Sequence, residues 1–210
     1  MGSSVAELAD RHPQGGGSIP TPTLHSLRVD PCTVADIQPV IARVHYSRSI
    51  FGVTVSRCYA VRSGDEIVGG AIFGLPAGSG VARKYGADGL VELRRFVLTD
   101  ECPRNAESRT LAVMLRDLKR AGYRRVLSYA DPAHGHRGII YAALGFAYRG
   151  VTAKRKHVMW KGKKYPDRNI HQTNFPFHLE LRAALSDGTA LRVEIPGKHV
   201  WLLELHRNGR

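Results

Sequence analysis

Asp131, His134 and His136 lie close together in a chain of 210 residues. Two imidazoles and one carboxylate that leave coordination positions open form the facial arrangement that takes ferrous iron. An H-x-H pair in a glycine-rich loop is equally a plain loop feature, so the spacing leaves both readings open. Glu92 falls on a strand-like run, where a carboxylate can act as a general base on an amine, directly or through water, or pair with a neighbouring arginine. Ser108 stands at the start of a helical pattern, where a hydroxyl meets a phosphate or caps backbone N–H groups. Farther on, Lys154, Arg155, Lys156, His157, Lys161, Lys163, Lys164 and Arg168 form a dense basic run interrupted by Trp160 and Tyr165. That mixture suits phosphates and unstacked bases; a bare solvated face would lack the aromatics.

These groups need a frame, and the stretch from Val91 to Gly150 supplies one. Val91, Leu93, Phe96 and Leu98 make a strand, and a polar turn follows with Pro103, Arg104 and Asn105. Leu111, Met114, Leu115 and Leu118 recur at three and four, one face of a helix, and Gly122 stands where a left-handed cap ends it. Arg125 to Tyr129 is the next strand. Two strands joined by such a helix make a right-handed βαβ unit, with its ligand site beyond the carboxyl ends of the strands, where Asp131 and the turn at Arg104 to Ser108 lie. Upstream, Thr33 and Asp36 have capping-box spacing ahead of Ile37, Val40, Ile41 and Val44, and Pro39 either kinks that helix or marks its first turn. His45 and Arg48 follow at its end. Cys58 to Arg62 and Glu66 to Leu75 read as a hairpin whose Gly69, Gly70 and Gly74 suggest a bulge or a close backbone approach. Pro76 to Gly89 reads as a glycine-rich mobile loop carrying Arg83, Lys84 and Tyr85. Ala190 to Ile195 and Val200 to Leu205 read as a hairpin across Pro196 to His199, packed onto the core by Phe175 to Phe177.

The totals set limits. There are 31 Lys and Arg against 18 Asp and Glu, a net charge of +13, which favours a polyanionic partner or a well-solvated surface. Three cysteines without C-x-x-C spacing argue for a reducing compartment and against a thiolate zinc site. No apolar run is long enough for a membrane span, and no export signal opens the chain, so a cytoplasmic protein is expected. Residues 1–24, rich in glycine and proline, read as a flexible leader, 25–152 as the core and 153–210 as a basic extension.

The strand, turn, long helix, strand and short helix with Tyr141 ahead of Gly145-Phe146 resemble the acetyl-coenzyme A binding core of the GNAT N-acetyltransferases. The resemblance implies an α/β fold with a mixed central sheet flanked by helices, here with a basic C-terminal β-hairpin. It implies a pyrophosphate held at Arg104, Asn105, Ser108 and Arg109, although the family's turn is glycine-rich and this one is not. It places Tyr141 as proton donor to a departing thiolate, and Glu92 as a base. Within that fold, His45-Tyr46-Ser47-Arg48, the run from Pro103 to Arg109, Ser128 to Pro132, Gly135 to Gly138 and Pro196-Gly197-Lys198-His199 resemble the Mom family of phage enzymes, which modify adenine in viral DNA and protect it from restriction. That resemblance implies an acetyl-coenzyme A derived group on adenine N6 and double-stranded DNA as partner. It also implies a role for ferrous iron, with His45, Asp131 and His136 as ligands, and catalytic work for His45 and Asp131. DNA contacts are expected from Arg48, Lys154, Lys156, Lys161, Lys163 and Lys164. The alternatives are an ordinary N-acetyltransferase for a protein or small amine, and a DNA-binding scaffold without activity.

Overall fold

The structure, a computed structural model, describes residues 22–205. The expected leader lies outside them up to residue 21. Strands β1 (Leu27–Pro31), β2 (Val55–Ser63), β3 (Glu66–Gly74), β4 (Leu90–Leu98), β5 (Arg125–Ala130), β6 (Ala147–Val151) and β10 (His199–Glu204) form one sheet in the order β1-β2-β3-β4-β5-β10-β6. All neighbours are antiparallel except β4 and β5. The helix that joins those two makes the parallel crossover which the sequence pattern requires.

Helix α1 (Val34–Val44) begins with the capping box of Thr33 and Asp36, and Pro39 lies inside it. It therefore gives up one backbone hydrogen bond and is held by packing, with Ile37, Val40 and Ile41 set on Cys58, Ala60 and Ile72 on one face of the sheet. Gly70 allows that contact, because a Cβ there would press on the Tyr59 carbonyl and the Ile37 side chain. On the other face, α3 (Ala106–Arg120) buries Leu111, Met114, Leu115 and Leu118 against Tyr59, Phe73, Val91 and Val126. Gly122 takes φ +90° just past its end, and the Tyr123 N–H returns to the Leu118 carbonyl. The short α4 (Ile139–Ala143) covers the same face beside it.

Three expectations are corrected, the third in the packing of Phe175 described below. The glycine-rich segment before β4 is not a mobile loop throughout, since Ser79–Tyr85 forms helix α2, with Tyr85 packed near Leu90 and Leu127. The two C-terminal strands do not make a hairpin. β9 (Leu191–Ile195) joins β7 (Arg155–Trp160) and β8 (Lys163–Pro166) in a separate three-stranded sheet, whereas β10 enters the main sheet between β5 and β6. Their residues carry the reason. Val200 and Leu202 are buried on one face, and Trp201 and Leu203 pack against the core on the other, as an interior strand demands. β9, by contrast, leaves Leu191 exposed. Between them, Gly197 crosses so close to the Thr152 carbonyl that no Cβ fits.

The smaller sheet has its own core of Val158, Ile170, Leu181, Ala184 and Ala190, covered by α5 (His178–Ser186). Phe175 packs there with Tyr165 rather than on the main core, and Phe177 is 47% exposed. No helix among the described residues is long and apolar enough to cross a membrane.

Candidate active site

β4 and β5 pair only at Leu90, Val91 and Glu92 with Arg125, Val126 and Leu127, although β4 runs on to Leu98 and β5 to Ala130. Beyond Glu92 the strands part. A bulge on β4 at Arg94, where Ile72 faces Arg95 and Phe73 faces Leu93, adds to the divergence. The wedge becomes a cleft of about 260 Å³ lined among others by Tyr46, Arg95, Tyr129, Asp131, His136 and Tyr141. Its β4 wall presents backbone with no strand partner on the β5 side. An extended ligand can pair there as a strand would.

His45 reaches this cleft from the end of α1 and is 7% exposed. The Ser47 N–H donates to its Nδ1 at 3.0 Å, and the Ser47 hydroxyl lies 2.8 Å from the same nitrogen. The neutral ring therefore carries its proton on Nε2. Burial pushes its pKa down to about 4, helped by the positive charge of Arg95 and the neighbourhood of His136, His134 and Lys198. Tyr46 stacks on His134 at 4.1 Å between ring centres and stands 5.9 Å from His136. Tyr141 is buried in α4, which holds its phenol well above its ordinary pKa and keeps it protonated.

Asp131 follows β5, accepts from the Ala133 N–H at 3.1 Å and pairs with the Lys198 ammonium at 2.8 Å. Burial alone would raise its pKa; the lysine and the N–H outweigh burial and hold the carboxyl below its usual range. Lys198 arrives from the chain returning into β10, its N–H donating to Thr152 Oγ1 at 2.9 Å. Its ammonium also lies 6.0 Å from the Tyr46 ring. In the sequence, Lys198 reads as a turn residue and Tyr46 has no assigned role. The Pro-Gly-Lys-His word was the signal available, but nothing local says that this lysine meets Asp131.

Two groups of predicted residues have partners that the sequence did not fix. Glu92 is buried away from the cleft lining, where its carboxylate accepts from the Ala77 N–H at 2.9 Å and pairs with Arg94 at 3.3 Å. This is the pairing with a neighbouring arginine that the sequence offered as one of two readings. Iron does not fit His45, Asp131 and His136. The Asp131 carboxylate is committed to Lys198 and Ala133, His45 Nε2 bears a proton, and among the described residues no three His, Cys, Asp or Glu are grouped to hold an ion.

At the coenzyme turn, Arg104, Asn105 and Arg109 are exposed and Ser108 is half-buried. Asn105 takes φ +68°, a left-handed bend that asparagine adopts more readily than most side chains. The Ser108 hydroxyl donates to the Asn105 carbonyl at 3.1 Å, and the N-cap residue Asn105 makes no side-chain cap bond to the start of α3. The Ala106 N–H donates to the Pro103 carbonyl and the Arg109 N–H to the Asn105 carbonyl, which leaves the Glu107 and Ser108 N–H groups at the start of α3 open to an anion. Glu107 brings a carboxylate to the cleft lining next to them.

The basic run is displayed on the smaller sheet. Lys156, Lys161, Lys163 and Lys164 are exposed, and Lys161 lies over the Trp160 ring at 4.4 Å. Lys154 differs, being paired with Glu194 at 2.7 Å. Arg48, with φ +47°, is exposed three residues past His45.

The Mom protein family matches this chain over residues 26–208. The methylcarbamoylase Mom of Escherichia phage Mu is 30% identical over 133 residues, 59% of this chain and 54% of that protein. The chain thus spans about half the length of the curated relative that it matches. Among solved structures, the fold is similar to an IAA acetyltransferase from Bacillus cereus ATCC 14579, with TM-score 0.52 and 8% identity over 85% of this chain and 99% of the other. It is also similar to a probable GNAT-family acetyltransferase from Chromobacterium violaceum ATCC 12472, with TM-score 0.50 and 12% identity over 86% and 88% of the two chains. At these identities the likeness shows the fold.

Proposed function

The chain belongs to the Mom protein family, and from that premise we propose that it modifies DNA by transferring the acetyl group of acetyl-coenzyme A to adenine N6. The observation that carries this reading is the position of the smaller sheet. The chain leaves β6 at Thr152 and returns at Lys198, two residues bonded to each other, and Lys198 ends on Asp131 inside the cleft. The exposed lysines therefore root at the mouth of the cleft where an acyl group would be transferred.

Each group in the cleft has work that suits its state. The acyl donor lies along the unpaired wall of β4 with its pyrophosphate at the start of α3, met by backbone N–H groups and by Arg104 and Arg109. Adenine N6 shares its lone pair with the ring and is a weak nucleophile, so the donor carbonyl must be polarised. His45, neutral with its proton on Nε2, donates to that oxygen. Asp131, held ionised by Lys198, accepts a hydrogen bond from the N6 amino group, orients it and takes the proton that N6 releases as the new C–N bond forms. Tyr141, protonated and buried, returns a proton to the departing thiolate.

The test is to express the chain in cells, digest their DNA to nucleosides and search by mass spectrometry for a heavier deoxyadenosine. Wild type should produce it, and Asp131→Asn should lower it at least a hundredfold, about 3 kcal/mol in barrier. Unmodified DNA alongside acetylated protein or small amines would make the chain an ordinary acetyltransferase instead.

A further inference from the structure

Beside the cleft, between the loop at 132–138 and strands β6 and β10, a second depression of about 750 Å³ opens to solvent. Pro132, Gly135, Arg137, Tyr148, His199 and Trp201 line it, and none of them has a part in the chemistry above. Its size is that of a small-ligand site, which spans roughly 300–1,000 Å³.

The lining is aromatic and cationic, with no carboxylate. Tyr148 is 49% exposed, its ring 5.2 Å from Trp201 at 56°. Its hydroxyl is tied to His199 Nδ1 at 3.0 Å, so the ring is held in place. Trp201 is backed by Gly138, where a Cβ would collide with the indole nitrogen, and its ring centre lies 6.3 Å from Tyr141. Its buried N–H has no hydrogen-bond partner, so packing alone fixes the indole. Arg137 is exposed and makes no hydrogen bond or ion pair among the described residues. An open aromatic face with a free guanidinium beside it matches a flat ring that carries a phosphate.

We infer that this depression is a nucleotide subsite: it takes an unstacked base of the DNA strand next to the base in the cleft, with the ring on Tyr148 and Trp201 and a phosphate on Arg137. The inference rests on the reading of the protein as a DNA modification enzyme. Two features tie the subsite to that reading. Gly135 and Arg137 line both the cleft and the depression, so occupants of the two are neighbours. β6 and β10, which bear Tyr148, His199 and Trp201, are also the strands from which the basic sheet departs and to which it returns. Contacts to a flanking nucleotide are a usual source of sequence context in enzymes that act on an extruded base.

The chain has two tryptophans, Trp160 and Trp201, so a Trp160→Phe background leaves Trp201 as the fluorescent reporter. We expect dTMP and dAMP to quench it saturably, with and without excess coenzyme A, while deoxyribose 5-phosphate does not. Tyr148→Ala should weaken nucleotide binding roughly five- to hundredfold with unchanged circular dichroism, and Arg137→Gln should weaken it for nucleotides but not nucleosides. Absence of quenching at millimolar nucleotide, equal quenching in the variants, or loss of quenching on adding coenzyme A would each overturn the subsite, the last by marking it as the coenzyme's adenosine site. Failure of the parent reading looks different. Nucleotide binding as described in a chain that leaves cellular DNA unmodified would retain the subsite and remove the modification enzyme. Modified DNA whose flanking sequences and rate are the same in Tyr148→Ala and Arg137→Gln would do the reverse.

Discussion

At the scale of single residues, the cleft is governed by which groups keep a charge and which lose it. His45 is neutral in the fold down to a pH of about 4, whereas in an unfolded chain it gains a proton near its ordinary value of 6.5. Acid therefore favours the unfolded chain: this contribution is complete above pH 6.5 and is lost as the pH falls toward 4. Chemical denaturation between pH 7 and 4 should show wild type losing about 1–3 kcal/mol more than His45→Gln. A parallel loss in both proteins would mean that the imidazole is not held neutral.

Lys198→Met, at the same scale, leaves the Asp131 carboxylate buried beside an apolar chain. We expect a stability loss of about 1–3 kcal/mol and an acid limb of activity moved to higher pH, because Asp131 then protonates more easily. Lys198→Arg should recover most of both. An unmoved acid limb in Lys198→Met would separate the lysine from the ionisation of Asp131. Tyr141→Phe keeps the ring and removes the proton, so turnover should fall roughly 10²- to 10⁴-fold while the melting temperature changes little.

Among the elements, the decisive one is the stem where the chain leaves and rejoins the main sheet. Gly197 lies against the Thr152 carbonyl with no room for a Cβ, and the Thr152 hydroxyl accepts the Lys198 N–H. Gly197→Val should push the two passes apart, lower the melting temperature by roughly 5–10 °C and withdraw Lys198 from Asp131. Activity in the folded fraction should fall with it. A variant of normal stability and activity would show that the crossing tolerates displacement. The parting of β4 and β5 beyond Glu92 is the other element on which the proposed function rests, since fully paired strands would leave no wall for a ligand.

For the whole molecule, the net charge of +13 is concentrated usefully only where lysines are unpaired and exposed. Lys161→Ala, Lys163→Ala and Lys164→Ala together should weaken duplex binding for all sequences and reduce the slope of log affinity against log salt by about 2–3. Lys154→Ala should do less, because Glu194 already holds that ammonium. Filter-binding titrations across a salt series measure both, and an unaltered slope in the triple variant would take the smaller sheet out of the DNA interface.

What the sequence determined by itself was local in origin. The capping box at Thr33 and Asp36, the helical period from Leu111 to Leu118, the left-handed Gly122 and the order strand, helix, strand follow from neighbours a few residues apart, and they bring Asp131 to the end of β5. The grouping of His45, Asp131, His136 and Tyr141, which line one cleft, came from the resemblance to the GNAT and Mom families and not from their spacing. Only the tertiary structure decided who meets whom across distance. A period of two marks β9 and β10 as strands but names no partner, so the apparent hairpin proved to be one strand of each sheet. Glu92 was spent on Ala77 and Arg94, and Lys198 was delivered to Asp131, because burying a charge requires a counterpart that chain spacing does not reveal.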